Sequence, residues 1–187
     1  MEEINFELFK VRLAKLIEKE ALKRGDFVLS SGKTSNYYLD GRIITLSPEG
    51  AYLVAGLVIK MLEGKKFSAI GGPTLGADPI VGAISCFSHQ LGKPINTFIV
   101  RKVAKGHGMQ RQIEGPVLAK GSKVVLVDDV ATTGKALIEA KEALDKIGVQ
   151  AEEALVIVDR HQGAAENLAV VGLKLRSIFD IGEFGLP

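Results

Sequence analysis

Apolar positions along this chain switch between a helical and a strand-like period. From Ile4 to Arg24, the residues Leu8, Phe9, Leu13, Leu16, Ile17 and Leu22 recur near helical spacing and predict an amphipathic helix that Gly25 ends. Phe27-Val28-Leu29 and Tyr37-Tyr38-Leu39 flank the polar run Ser30 to Ser35 and predict a hairpin. Ser47 as N-cap and Pro48 at the first position open a helix that runs to about Glu63 and stops at Gly64. Phe67 to Ile70 reads as a short strand leading into a Gly71-Gly72-Pro73-Thr74 loop, followed by a helix from Asp78 to about Leu91. Ile95 to Val100 predicts a buried strand. Arg101 to Gly115 has no apolar period and predicts a long loop. Val124 to Val127 predicts a central strand, Gly134 to Ile147 its helix and Val149 to Val158 another strand. Leu168 to Pro187 adds a strand and a tail. Strands alternating with helices imply an α/β fold with a mostly parallel sheet flanked by helices. The N-terminal hairpin is expected to form a small hood, residues about 1–45, on a single domain spanning 1–187.

Composition narrows the function classes. A chain of 187 residues suits one α/β domain, and its formal net charge of +2 comes from well-mixed acids and bases. That balance argues against a dedicated nucleic-acid binder. Cys86 is the single cysteine, so no intrachain disulfide forms, and its apolar helical run predicts burial. No apolar run reaches membrane-spanning length and no signal pattern precedes the first helix, which places the expected location in the cytoplasm.

The chemistry concentrates in Val124-Val125-Leu126-Val127-Asp128-Asp129-Val130-Ala131-Thr132-Thr133-Gly134-Lys135-Ala136. A buried strand delivers two adjacent carboxylates, then hydroxyls and a glycine, to the start of a helix. Backbone amides of Thr133, Gly134 and Lys135 favour a phosphate there. The acid pair repels a phosphate and suits hydroxyls, or a metal-bound sugar, beside it. A P-loop is excluded, because Asp129 stands where its first glycine belongs and Ala136 where its hydroxyl belongs. The stretch resembles the phosphoribosyl-diphosphate (PRPP) signature of the type I phosphoribosyltransferases, and that resemblance implies their fold.

A basic loop sharpens the resemblance. Arg101-Lys102-Val103-Ala104-Lys105-Gly106-His107-Gly108 is similar to the mobile catalytic loop of the orotate phosphoribosyltransferases, expected here at about 101–115. The resemblance implies that Arg101, Lys102, Lys105 and His107 contact the diphosphate of PRPP, partly across a homodimer, and that Lys105 and His107 serve the departing group. A lid over a diphosphate needs such cations, because negative charge builds there as the bond breaks. Gly106 departs from the acid that the family usually carries before the histidine.

Three further motifs carry the likeness. Phe27-x-Leu29-x-Ser31-Gly32-x-x-Ser35-x-Tyr37-Tyr38 resembles the segment that lies against the pyrimidine, and implies that Tyr37 and Tyr38 bind orotate. Read from the residues alone, the pair is a strand with one aromatic in the core. Ser30 stands where some members have a lysine. Gly71 to Pro79 resembles the diphosphate loop, with Thr74 as a PRPP contact and Leu75 where one branch has a lysine. Asp159-Arg160 follows a strand, and by resemblance Arg160 pairs with the carboxylate of orotate, as a planar guanidinium is suited to do. Thr132 is expected to face orotate as well. His89 reads as a helix-surface residue and His161 as a turn residue.

The resemblance implies transfer of a 5-phosphoribosyl group from PRPP to orotate, giving orotidine 5′-monophosphate and diphosphate, a step of pyrimidine (UMP) biosynthesis. Mg²⁺ is the implied cofactor, held mainly through PRPP and water rather than by direct protein ligands. Asp128 and Asp129 would hold the ribose hydroxyls and act in catalysis. Val130, Ala131, Thr132, Thr133, Gly134, Lys135 and Ala136 would cradle the 5′-phosphate. Two other readings stay open at this point: a phosphoribosyltransferase for a purine or another base, and a regulator that keeps the fold and binds nucleic acid.

Overall fold

The computed structural model describes residues 4–28, 34–102 and 112–187. Helix α1 (Phe6–Leu16) begins where the Asn5 side chain accepts from the Leu8 amide at 3.0 Å. One π-helical turn, Ile17–Ala21, closes it, and the chain passes directly into strand β1 (Leu22–Val28). The helix expected to reach Arg24 is therefore shorter. Leu22, Lys23 and Arg24 pair instead with Leu39, Tyr38 and Tyr37 of the antiparallel strand β2 (Thr34–Leu39). Residues 23–26 expose their side chains, so main-chain pairing rather than side-chain period decides the conformation of this segment.

A short helix α2 (Gly41–Thr45) follows, capped by Asp40, and then α3 (Pro48–Met61), with Ser47 as cap and Pro48 in the first turn as expected. Strand β3 (Ala69–Pro73), helix α4 (Ala77–Gln90) and strand β4 (Asn96–Val100) come next. The run Gly71-Gly72-Pro73, expected as loop, is strand: it pairs in parallel with Phe98, Ile99 and Val100. A buried strand of glycines offers no side-chain alternation to read. A two-residue strand β5 (Ile113–Glu114) returns antiparallel to β4, inside the stretch expected to be loop throughout.

The second half is strand β6 (Lys123–Ala131), helix α5 (Lys135–Lys146), strand β7 (Gln150–Asp159), helix α6 (Ala164–Val170) and strand β8 (Lys174–Asp180), then a 3₁₀ turn, Ile181–Phe184. Helix α6 has no counterpart in the sequence reading. Cys86 is exposed, not buried: α4 turns Ile84 and Phe87 inward and leaves Cys86 between them on the outer face.

The main sheet has the order β5-β4-β3-β6-β7-β8, with every pair but β4–β5 parallel. Alternation along β6 sends Val125 and Val127 to a core shared with α1, α3 and α4, and Val124 and Leu126 to a core shared with α5 and α6. From β3 the chain moves outward to β4. From β6 it moves the other way, to β7 and β8. The carboxyl ends of β3 and β6 therefore border the crevice where ligands bind in open α/β sheets.

Candidate active site

Two adjoining hollows occupy that crevice. The wider, about 480 Å³, is lined by residues that include Tyr38, Arg42, Thr74, Lys102, Asp128, Asp129, Thr132 and Arg160. The narrower, about 180 Å³, is bounded by Asp128 and by residues 130–137. Its floor is the turn from β6 into α5. Gly134 caps that helix at φ 76°, a left-handed conformation that a side chain would oppose. A Cβ there would also come within 2.9 Å of Leu168. Helix α6 braces the same turn, with the Asn167 amide donating to the Thr133 carbonyl at 2.9 Å. The result is a held loop of backbone amides at a helix N-terminus, suited to a phosphate.

The acid pair sits between the two hollows. The Asp128 Oδ1 accepts from the Asp129 amide at 3.0 Å, and the Asp129 Oδ1 accepts from the Val130 amide at 2.8 Å. Burial pushes the Asp128 carboxyl well above its usual range, and the negative charge of Asp129 adds to the effect. Burial raises Asp129 too, against the Val130 amide and the charge of Arg42, which pull it down. Gly76 and Gly41 pack against this pair. A Cβ on Gly76 would lie 2.0 Å from the Asp128 Oδ1, and one on Gly41 2.8 Å from the Asp129 Oδ2. Asp78, in the first turn of α4, adds another raised carboxyl nearby.

Arg160 closes the opposite end of the crevice. It leaves β7 with its amide bonded to the Ala131 carbonyl at 3.0 Å and is only 8% exposed. Its Nε donates to the Tyr37 hydroxyl at 3.0 Å, and its guanidinium lies over the Tyr37 ring, 4.7 Å from the centroid. Together the crevice presents an amide cradle at a helix N-terminus, a buried acid pair and a guanidinium.

Comparison with known proteins supplies the family. Residues 44–186 match the phosphoribosyl transferase domain family. Over 170 residues the chain is 45% identical to an orotate phosphoribosyltransferase of Nostoc sp., covering 91% of this chain and 82% of that one. The chain belongs to the orotate phosphoribosyltransferase family. The crystal structure of the Mycobacterium tuberculosis H37Rv member in complex with Fe(III) dicitrate superposes with a TM-score of 0.83 at 38% identity, covering 95% of this chain and 99% of that one. The same M. tuberculosis enzyme in complex with PRPP gives a TM-score of 0.80 at 34% identity, with the same coverage.

Set against the family's motifs, the expected site residues separate into three groups. Thr74, Lys102, Asp128, Asp129, Thr132, Arg160 and Tyr38 share the wider hollow, and Val130 to Ala136 bound the narrower one. Two others line neither hollow. Tyr37 is 2% exposed and lies beneath Arg160 rather than on the crevice wall, because strand alternation can turn only one of two adjacent tyrosines outward. Arg101 is turned to Glu114, 3.4 Å away, and not into the hollow. Lys105 and His107, with Ser30, Ser31 and Gly32, lie outside the described residues.

The sequence reading missed Asp40 and Arg42. Arg42 lines the wider hollow and meets both carboxylate oxygens of Asp40 at 2.9 Å. No local pattern marks them beyond Asp40 as the cap of a five-residue helix.

Proposed function

We infer that this chain transfers the 5-phosphoribosyl group of PRPP to orotate, releasing diphosphate, as a step of pyrimidine biosynthesis. One observation carries the reading: the acid pair after β6, the amide cradle of residues 130–136 and the guanidinium of Arg160 open onto one continuous crevice. The 5′-phosphate is received by the cradle, the ribose hydroxyls by Asp128 and Asp129, and the carboxylate of the acceptor ring by Arg160. Tyr38 and Thr132 flank that ring. Thr74 and Lys102 face the diphosphate side, joined by Lys105 and His107 from the basic loop.

The protein's contribution is to hold two reactants in line and to stabilise charge as it separates. The ring nitrogen attacks the anomeric carbon while the bond to diphosphate breaks. The negative field of Asp128 and Asp129 favours positive charge growing on the sugar. Cations of the basic loop favour the negative charge growing on the leaving group. The donor set fits Mg²⁺: a buried carboxylate pair beside a polyphosphate is what a hard cation that keeps much of its water requires. PRPP and water would supply most of what holds it, with Asp128 and Asp129 reaching it through that water, and when bound it would offset diphosphate charge.

Two copies of the chain are proposed to pair. Leu8 and Val11 on α1, Leu46 after α2 and Tyr52 on α3 are exposed apolar side chains that such pairing would cover. Among the described residues no helix is long and apolar enough to cross a membrane. The cytoplasm is the proposed location, and no nucleic-acid role is proposed.

The decisive assay follows orotate absorbance after addition of protein, PRPP and Mg²⁺, with adenine, hypoxanthine and uracil in parallel. Consumption of orotate alone is expected. Consumption of a purine instead would overturn the substrate assignment. Binding of PRPP without turnover of any base would overturn the enzymatic one.

A further inference from the structure

We propose that Tyr37 is a positioning residue for the acceptor base, acting through Arg160 and not by touching the base. The inference rests on Arg160 being the receptor for the orotate carboxylate. Tyr37 belongs to the two-stranded N-terminal sheet, whereas Arg160 directly follows strand β7 of the main sheet, so their contact joins two separate parts of the fold. Tyr37 is 2% exposed, and its hydroxyl accepts from Arg160 Nε at 3.0 Å in a buried contact. The same ring lies under the guanidinium at 4.7 Å. The ring face fixes the plane of the guanidinium, and the hydroxyl fixes its rotation within that plane.

The consequence is chemical. A guanidinium can grip a carboxylate by its side edge, through Nε and one terminal nitrogen, or by its end, through both terminal nitrogens. The Tyr37 hydroxyl occupies Nε, which removes the side edge. Among the described residues the terminal nitrogen Nη2 is buried and has no hydrogen-bond partner. A donor left in that state is costly, so the end edge is prepared for an anion that brings its own acceptors. A planar acid received end-on, on a guanidinium that cannot rotate, presents its ring to the crevice in one orientation.

The hydroxyl does this and the ring does not, so Tyr37→Phe isolates it: volume and ring face stay, and the bond to Nε goes. The expected result is a rise of about tenfold in KM for orotate, with kcat held within about twofold and KM for PRPP unmoved. Inhibition by uracil, which lacks the carboxylate, is expected to stay as in the parent protein. In an Arg160→Ala background the same Tyr37→Phe change is expected to add nothing to KM for orotate, because its route of action is gone.

The outcomes separate the two levels of the reading. If Arg160→Ala leaves the orotate dependence unaltered, the assignment of Arg160 falls and this inference with it. If Arg160→Ala raises KM but Tyr37→Phe does not, Tyr37 is core packing and only this inference falls. A Tyr37→Phe effect of equal size with and without Arg160, or one that extends to PRPP or uracil, also overturns it. Thermal melting of Tyr37→Phe within a few degrees of the parent shows that these readings come from folded protein.

Discussion

Replacing Gly76 by alanine adds one methyl group at the most crowded point beside the acid pair. The backbone accepts it, since Gly76 has φ −61° and ψ −41°, an ordinary helical conformation. The side chain does not fit. Its Cβ would lie 2.0 Å from the Asp128 Oδ1 and 2.7 Å from the Asp129 Oδ1, where real contacts essentially never fall below 3.0 Å. The Asp128 carboxylate must therefore retreat by about 1 Å, loosening its acceptance of the Asp129 amide. Carboxylates are the mobile ends of side chains, so the fold absorbs the change by rotating them. Function absorbs it less well: misplacing a catalytic group by about 1 Å costs on the order of a hundredfold in rate, or about 2.7 kcal/mol. The expected outcome for Gly76→Ala is a fall in kcat/KM for PRPP of about a hundredfold. Its melting temperature should stay within about 4 °C of the parent, a shift equivalent to about 1 kcal/mol or less. Initial rates at saturating orotate and varied PRPP, with a thermal melt of the same preparation, read both. A variant that keeps kcat/KM within about threefold would refute the reasoning, since the acids could then move without consequence.

Gly72 offers the contrasting case, because a Cβ there would meet the backbone carbonyl of Val127 at 1.9 Å and neither partner can rotate away. Gly72→Ala should lose about 1 to 3 kcal/mol of stability, read by denaturant unfolding, whatever happens to activity. Asp128→Asn should abolish turnover yet melt higher than the parent at pH 7. Burial raises the folded-state pKa of Asp128, so the parent loses stability as pH rises from the unfolded carboxylate range to that raised value, and the amide does not. The gap in melting temperature should vanish below about pH 4, and an amide variant that melts lower at pH 7 would contradict the argument. Lys105→Ala is expected to lower kcat by about a hundredfold or more with little change in orotate affinity, and unchanged single-turnover rates would remove it from the chemistry.

Legibility in the sequence followed locality. The strand, acid pair and phosphate turn are contiguous, and the Ser47-Pro48 start depends on neighbouring residues alone, so both could be read directly. Features set by distant partners could not. Leu22 to Arg24 carries charges compatible with a helix and becomes a strand only through Leu39, Tyr38 and Tyr37. Helix α6 is seven residues long, and its value lies in Asn167 and Leu168 meeting the phosphate turn more than thirty positions earlier. Cys86 was misread because an apolar run does not state its helical phase, and one position separates it from the buried Phe87. Tyr37 and Tyr38 were read as a pair with one aromatic in the core, and strand alternation buries Tyr37 while Tyr38 lines the crevice.

The short strand β5 has an evolutionary consequence. The Arg101 amide donates to the Gln112 carbonyl at 2.8 Å, and Ile113 and Glu114 then pair with Val100 and Ile99. The basic segment thus leaves and rejoins the sheet at a single edge, and the bonds that close it belong to the scaffold. Lengthening a segment closed in this way costs only about 0.6 kcal/mol for each doubling of its length. Changes of length between residues 102 and 112 can then be sampled while the bonds of β4 and β5 that close the segment stay in place. Selection can adjust the length and charge of this segment as a trait separate from the pairing that closes it, leaving the acid pair and the turn after β6 as they are.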